Sequence, residues 1–178
     1  MKAVFLDRDG IINKNPPEGE YLTSPRKFRL LKNVARAIKK LNELKFLVII
    51  VTNQRGIARG IMTENDLKEI HSRMLKKLAL QGARIDAIYY CPHEINTCSC
   101  RKPDIGLFLQ AKRDFPEIDF SQSFVIGDTD KDIIAGQRLG CRTILVKSNQ
   151  NDTLTPPADF FARNLWEAVS KIIANVDK

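Results

Sequence analysis

The 178-residue chain is long enough for one well-buried domain and too short for two. Apolar residues make up 43% and charged residues 28%, as in soluble globular proteins, and no run reaches the roughly 18 apolar residues of a membrane span. The net charge of +8 predicts anionic partners, and its dispersed lysines and arginines favour a small ligand over nucleic acid. The first ten residues, MKAVFLDRDG, lack the apolar core of a signal peptide, so we expect a cytoplasmic protein.

Short apolar runs alternate with amphipathic stretches along the chain. The predicted strands are Ala3–Leu6, Phe46–Val51, Ile85–Tyr90, Phe124–Gly127 and Thr143–Val146. The predicted helices between and after them cover 33–44, Thr63 to Gly82, Gly106–Phe115, a stretch through Ala135 to Leu139, and a last one from Asn164. The second helix begins with a Thr63/Asp66 capping box. Strands alternating with helices are typical of a parallel sheet covered on both faces. We therefore predict one doubly wound α/β domain over residues 1–178, without a large cap.

Polar residues follow four of the predicted strands directly. They are Asp7, Thr52, Cys91 and Asp128. Ligands of open parallel sheets bind outside the carboxyl ends of the strands, so these residues are expected to border one binding site.

Asp7 and Asp9 lie two residues apart just past the first predicted strand. Side chains at this spacing in an extended segment point the same way, so both carboxylates can face one pocket. They would repel each other unless a cation neutralises one of them or one keeps a proton. Mg²⁺, which prefers oxygen ligands, suits this pair, although a solvated turn is an alternative reading of the motif alone.

Further polar pairs follow the later strands. Thr52 and Asn53 offer a hydroxyl and an amide that can bind phosphate oxygens. Arg101 and Lys102 precede a predicted helix, where positive charge can stabilise a phosphoryl group during transfer. In the segment GDTDKD, Asp128 can complete the oxygen shell of a cation, and the acid four residues later, Asp132, can orient Asp128 or the lysine.

The order of these motifs, DxD, TN, K and GDxxxD, resembles that of the haloacid dehalogenase (HAD) superfamily of phosphatases over nearly the whole predicted sheet. The resemblance implies that Asp7 is the nucleophile that takes the phosphoryl group. It implies that Asp9 is the general acid for the leaving oxygen and then the base for water. Thr52 and Lys102 would bind phosphate, and Mg²⁺ would be held by Asp7, the backbone carbonyl of Asp9 and Asp128.

The segment CPHEINTCSC over residues 91–100 contains four soft metal ligands, Cys91, His93, Cys98 and Cys100. This is the ligand set of a closed Cys₃His zinc site, which would be structural because it leaves no position for water. A loop with free thiols is the alternative. A zinc ion here would fix the segment that runs into Lys102. The remaining cysteine, Cys141, is predicted to be a buried core thiol.

The combination of DRDGxIN, TNQRGIARG and CPH…CxCRKP resembles the heptose-bisphosphate and histidinol-phosphate phosphatase group of the superfamily. We predict a magnesium-dependent phosphomonoester hydrolase that acts on a small sugar phosphate, with the heptose 1,7-bisphosphate 7-phosphatase branch favoured. Histidinol-phosphate phosphatase, polynucleotide 3′-phosphatase and a non-catalytic binding module are the alternatives. The sugar and its anomer stay open, and a monomer is expected.

Specificity must come from loops if there is no cap domain. The loop over residues 13–30 and the turn Gln54–Gly60 are the predicted substrate rim. In that turn Arg55 and Arg59 can bind a second phosphate bidentately, or they are surface arginines. His71 is expected to lie in a helix away from the motifs and to have no catalytic role.

Overall fold

The structure is a computed structural model that describes residues 1–17, 19–147 and 157–176. Within these ranges the strands are β1 (Ala3–Leu6), β2 (Leu47–Asn53), β3 (Ala87–Cys91), β4 (Phe124–Gly127), β5 (Arg142–Val146) and β6 (Phe160–Ala162). They form one sheet in the order β3-β2-β1-β4-β5-β6, and every neighbouring pair is parallel.

The helices follow the strands as the apolar periodicity predicts. They are α1 (Val34–Glu43), α2 (Glu64–Ala79), α3 (Gly106–Asp114), α4 (Asp130–Arg138) and α5 (Leu165–Glu167), which continues as π-helical turns over Ala168–Ile173 and a last turn over Ala174–Val176. The predicted capping box of α2 is confirmed, because Thr63 and Asp66 exchange side-chain and backbone hydrogen bonds. Short 3₁₀ turns lie at Pro25–Lys27 and Phe120–Gln122.

Both faces of the sheet are covered by helices. Val4 and Leu6 of β1 pack on one face with residues of α1, α2 and the C-terminal helix, whereas Ala3 and Phe5 pack on the other face with residues of α3. Successive side chains of a strand point to opposite faces, so a strand buried on both sides needs a continuous apolar run. The doubly wound α/β fold predicted from these runs is confirmed.

The structure departs from the predicted elements near the carboxyl end of the chain. The strand β6 was not predicted, because three residues are too few to show a period, yet Phe160 pairs with Ile144 of β5. The last helix begins after the predicted residue, Asn164, whose side chain caps it. Most of its length is π-helical, and Leu165, Val169 and Ile173 are among its buried apolar residues.

The sheet reverses its strand order at β1. Leu6 pairs with Ile50 of β2 on one side and with Ile126 of β4 on the other. The backbone N–H of Asp7 extends this ladder by donating to the carbonyl of Ile126 at 3.0 Å. In open α/β sheets such a switch point leaves a crevice at the carboxyl ends of the strands, which places the predicted motifs around it. None of the described helices is both long enough and apolar enough to cross a membrane.

Candidate active site

A cavity of about 190 Å³ opens at the carboxyl ends of β1, β2 and β4. Five of the predicted site residues line it, and these are Asp7, Asp9, Thr52, Asn53 and Asp128. The predicted rim loop over residues 13–30 supplies Asn15, Pro16, Glu20, Tyr21 and Leu22 to the same cavity. The structure therefore brings the first, second and fourth motifs together.

Three carboxylates crowd together beside this cavity. One oxygen from each of Asp7, Asp128 and Asp132 lies within 4.8 Å of the others. Burial raises the pKa of Asp7 to about 6, with the charge of Lys102 opposing that rise and the charges of Asp132 and Asp9 adding to it. Burial and the charges of Asp7 and Asp132 raise the pKa of Asp128 to about 7. An excess of buried carboxylate oxygen over positive charge fits a hard divalent cation.

Two glycines make room for these acids. Gly10 has a φ of +83°, and a Cβ there would collide with the carboxylate of Asp128. A Cβ on Gly127 would likewise collide with the side chain of Asp132. The backbone just after Asp9 therefore turns directly against Asp128, which fits a metal contact through the Asp9 carbonyl better than one through its carboxylate.

Lys102 lies under the cavity and is 3% exposed. Its Nζ donates to the carbonyl of Val51 at 2.7 Å and to Asp132 Oδ1 at 2.5 Å, and it lies 3.1 Å from Asp7 Oδ1. Burial alone would lower the pKa of Lys102, but Asp132 and Asp7 raise it, so the ammonium keeps its charge. Asp132 was predicted to orient either Asp128 or Lys102, and the structure shows it in contact with Lys102. The second carboxylate oxygen of Asp132, Oδ2, accepts a hydrogen bond from Thr129 Oγ1 at 2.7 Å.

Asn53 holds the backbone of Lys102. Its Nδ2 donates to the carbonyl of Lys102 at 3.0 Å, and its Oδ1 accepts from the N–H of Lys102 at 3.0 Å. Its Nδ2 has a second hydrogen, so contact with phosphate stays a prediction. The hydroxyl of Thr52 accepts from Gln54 Nε2 at 3.0 Å, so its own hydrogen can still be donated to a ligand.

The carboxylate of Asp9 is neutralised by an arginine that the sequence analysis missed. Arg8 is fully buried, and its Nη2 donates to Asp9 Oδ1 at 3.0 Å and to Oδ2 at 2.8 Å. Asn13 Nδ2 and Gln54 Nε2 donate to the same carboxylate at 2.8 and 3.0 Å. Burial alone would raise the pKa of Asp9, but the charge of Arg8 and these hydrogen bonds outweigh burial and lower it.

The sequence gives no signal for this contact. Alternation along an extended chain would point Arg8 away from both acids, whereas the chain bends here and Arg8 turns back to the carboxylate of Asp9. The cation that neutralises the second acid of the pair is therefore a guanidinium and not a metal ion.

The prediction that His71 lies away from the motifs is wrong. His71 projects from α2, and its Nε2 lies 3.3 Å from Nη1 of Arg8. The long side chain of Arg8 reaches from the DxD loop to this helix, a contact that separation along the sequence cannot reveal. One guanidinium separates His71 from Asp9.

The three other predicted phosphate-binding arginines do not line the cavity. Arg55 pairs with Glu94 at 3.2 Å, and Arg59 donates to the hydroxyl of Tyr21 at 3.4 Å. Tyr21 lines the cavity, so this pair lies at its rim. The Nη1 of Arg101 is buried and has no hydrogen-bond partner within the part of the chain that the structure describes. Contact of Arg55 and Arg59 with a second phosphate, and of Arg101 with the transferring phosphoryl group, stays a prediction.

The four predicted zinc ligands lie together. Cys100 Sγ is 3.0 Å from Cys91 Sγ, 3.2 Å from Cys98 Sγ and 3.2 Å from His93 Nδ1. All four ligand atoms lie within 4.8 Å of one another, and the cysteines are free thiols. Tetrahedral zinc with Zn–S bonds of about 2.3 Å holds sulfur atoms roughly 3.8 Å apart, so these thiols need to separate by less than about 1 Å to bind it, and three cysteines with one histidine are a ligand set typical of zinc. Cys141 is buried, as predicted.

The loop over residues 91–100, which carries the four predicted zinc ligands, also supports the rim of the cavity. The carbonyls of Cys91 and Pro92 accept from the N–H groups of Gln54 and Ala58 at 2.8 and 3.1 Å. The loop therefore braces the Gln54–Gly60 turn on one side and continues into Lys102 on the other.

A buried acid beside a charged lysine, at the switch point of a doubly wound sheet, fits an enzyme that transfers phosphoryl groups. A family model described as HAD-hydrolase-like matches residues 99–168. The D-glycero-beta-D-manno-heptose-1,7-bisphosphate 7-phosphatase of Rhodopseudomonas palustris is 40% identical over 146 residues, which cover 78% of this chain and 79% of the relative. The corresponding alpha-heptose enzyme of Campylobacter jejuni is 36% identical over 171 residues, 95% of this chain and 94% of the relative.

A comparison with solved structures also finds a heptose bisphosphate phosphatase. The D,D-heptose 1,7-bisphosphate phosphatase of B. bronchiseptica, crystallised with magnesium and phosphate, superposes with a TM-score of 0.88 at 30% identity, covering 98% of this chain and 99% of that one. The chain belongs to the HAD family of phosphatases.

Proposed function

We propose that the protein is a magnesium-dependent phosphatase that removes the 7-phosphate of D-glycero-D-manno-heptose 1,7-bisphosphate through a phosphoryl group carried on Asp7. The observation that carries this proposal is the position of Asp7, 3.1 Å from the buried ammonium of Lys102 and open to the cavity. The substrate is proposed from the names of the relatives, which act on this bisphosphate in both anomeric forms.

The residues that would hold Mg²⁺ are Asp7, Asp128 and the carbonyl of Asp9, with Asp132 supporting them through Lys102. Bound there, the ion would neutralise charge on the transferring phosphoryl group. The crowded carboxylates fit this ion, because their raised pKa values show that the protein alone does not compensate their charge.

Four side chains of the protein would carry out the two steps of phosphate hydrolysis. Thr52 and Lys102 bind phosphate oxygens while an oxygen of Asp7 attacks phosphorus and the bond to the leaving oxygen breaks. Asp9 gives the leaving oxygen a proton, and it later accepts one from the water that attacks phosphorus and frees Asp7. Arg8 holds Asp9 ionised in the free enzyme, so the proton that Asp9 donates must arrive with the substrate. A phosphate monoester has a second pKa of about 6, so its monoanion would carry this proton into the site.

Magnesium affinity is expected to fall at least about tenfold between pH 8 and pH 5.5. Asp7 and Asp128 have pKa values of about 6 and 7 without metal. Both exceed the value of a free carboxyl, so the metal-free fold loses stability as pH rises through this range. Mg²⁺ binds the ionised acids and must displace protons at low pH, so its stabilising effect is greater at pH 8.

Thermal unfolding with and without Mg²⁺ at both pH values measures this effect. Asp128→Asn should abolish most of the Mg²⁺-dependent shift at pH 8, whereas Asp130→Asn, a change two residues further on at an exposed position, should leave it unchanged. A shift of equal size at both pH values would contradict the assignment of these carboxylates as ligands.

We also propose that Cys91, His93, Cys98 and Cys100 bind one structural Zn²⁺. Thiolate ligands stay reduced in the cytoplasm, which supports the predicted location there. Because every group of the proposed site comes from one chain, a monomer can be the working unit.

One observation favours a second candidate function, histidinol-phosphate phosphatase. Glu20 lines the cavity, and its carboxylate can accept hydrogen bonds from either sugar hydroxyls or the amine of histidinol phosphate. Arg59, which lies at the rim of the cavity beside Tyr21, instead favours a substrate with a second phosphate.

The values of kcat/KM for the two anomers of heptose 1,7-bisphosphate, histidinol phosphate and a 3′-phosphorylated oligonucleotide decide between these functions. We expect one heptose bisphosphate to exceed both other substrates by more than about tenfold, since a site built for a second phosphate loses charge-assisted hydrogen bonds with a monophosphate. A preference below tenfold, or one for histidinol phosphate, would overturn the substrate assignment.

A further inference from the structure

The buried guanidinium of Arg8 contacts three different side chains. Besides its bidentate contact with Asp9, its Nη2 donates to Gln54 Oε1 at 3.2 Å. Its Nη1 lies 3.3 Å from His71 Nε2. Buried charges are tolerated when they are paired and hydrogen-bonded, so the arrangement of Arg8 depends on all three partners.

His71 can take part in this contact only as an acceptor. A guanidinium has donors and no acceptor, so Nε2 must be unprotonated and Nδ1 must carry the hydrogen. Burial and the charge of Arg8 lower the pKa of His71 to about 3, in agreement with a neutral ring. The ring is 8% exposed and packs edge-on against Tyr90, with 6.2 Å between centroids. It is thus a fixed acceptor on a rigid helix.

We propose that His71 is a positioning residue for the phosphatase reaction: by accepting the Nη1 hydrogen bond of Arg8, it orients the guanidinium that aligns the carboxylate of Asp9. The inference rests on the proposed function, in which Asp9 transfers a proton to the leaving oxygen. A catalytic group displaced by about 1 Å can lose on the order of a hundredfold in rate, so a residue that does not touch the substrate can matter.

Two variants of His71 and two leaving groups test the proposal. A sugar alkoxide needs a proton to depart, whereas p-nitrophenolate departs without one, so only the first reaction depends strongly on Asp9. His71→Leu keeps an apolar filling but removes the acceptor, and should lower kcat/KM for the best sugar phosphate by about tenfold or more. The value for p-nitrophenyl phosphate should fall by less than about threefold. His71→Gln, whose carbonyl can replace Nε2, should restore most of the loss.

Met74→Ala is the matched control, because it removes packing from the next turn of α2 but no hydrogen bond. It should change both reactions equally. If His71→Leu does not fold, His71→Asn, whose carbonyl is one methylene shorter, should show the same selective loss. Equal losses for the two leaving groups, no loss, or a Gln variant as impaired as the Leu or Asn variant would overturn the positioning role. In this experiment the proposed phosphatase activity would itself fail if the wild-type enzyme hydrolysed neither ester, an outcome distinct from those for His71.

Discussion

Replacing Asp7 with Asn is expected to lower turnover by about 10⁴-fold or more while leaving the fold intact. The amide lacks the negative charge that attacks phosphorus, and it removes one ligand of the proposed Mg²⁺ site. The same change should not destabilise the metal-free protein at pH 8. Because the pKa of Asp7 is raised to about 6, its ionised form opposes folding at that pH, and Lys102 keeps its ion pair with Asp132. Steady-state kinetics together with thermal unfolding measure both effects.

The contrast between activity and stability distinguishes a nucleophile from a structural acid. Asp7→Ala should be equally inactive, and it excludes activity regained by slow deamidation of the asparagine. Asp119→Asn, a change at an exposed position, serves as the control and should keep normal turnover. Trapping of labelled phosphate on the wild-type protein and not on either Asp7 variant would support the covalent step. Turnover within tenfold of wild type in Asp7→Ala would exclude Asp7 as the nucleophile.

The fold was predictable because each buried strand is a short apolar run that ends in a polar residue. Ala3–Leu6 and Phe124–Gly127 are recovered with the bounds predicted. These two strands can be recognised in the sequence because both faces of the sheet are covered, so all of their residues are apolar or glycine. The strand Phe160–Ala162 was missed, since its three residues are defined by pairing with β5 and not by any local period.

The site was predictable where its residues follow strand ends, and not where long side chains connect distant segments. Asp7, Thr52 and Asp128 border one cavity because the strands that carry them are neighbours. The contact between Arg8 and His71 spans 63 positions and depends on a side-chain direction that the sequence does not encode locally. The hydrogen bonds of Asn53 to the Lys102 backbone are hidden for the same reason.

Loss of the zinc site should destabilise the protein and weaken phosphate binding together. Cys98→Ser or Cys100→Ser removes one of four ligands, and a structural zinc site contributes folding free energy directly. We expect zinc to fall from about one ion per chain to near zero and the free energy of unfolding to fall by about 3 kcal/mol or more. Since the loop continues into Lys102 and braces the Gln54–Gly60 turn, KM should rise in any protein that stays folded.

The chain carries its own control for this experiment in the cysteine outside the loop. Cys141→Ala removes a buried thiol from the core but no proposed zinc ligand. It should cost some stability through lost packing while keeping one zinc per chain and a normal KM. Elemental analysis, denaturant unfolding and kinetics on the three variants separate the two causes. If freshly purified, unchelated protein contained no zinc, or if Cys98→Ser behaved like Cys141→Ala, the cluster would be a set of reduced thiols. The position of Lys102 would then depend on its own contacts with Val51, Asn53, Asp132 and Asp7, without support from a metal ion in the loop.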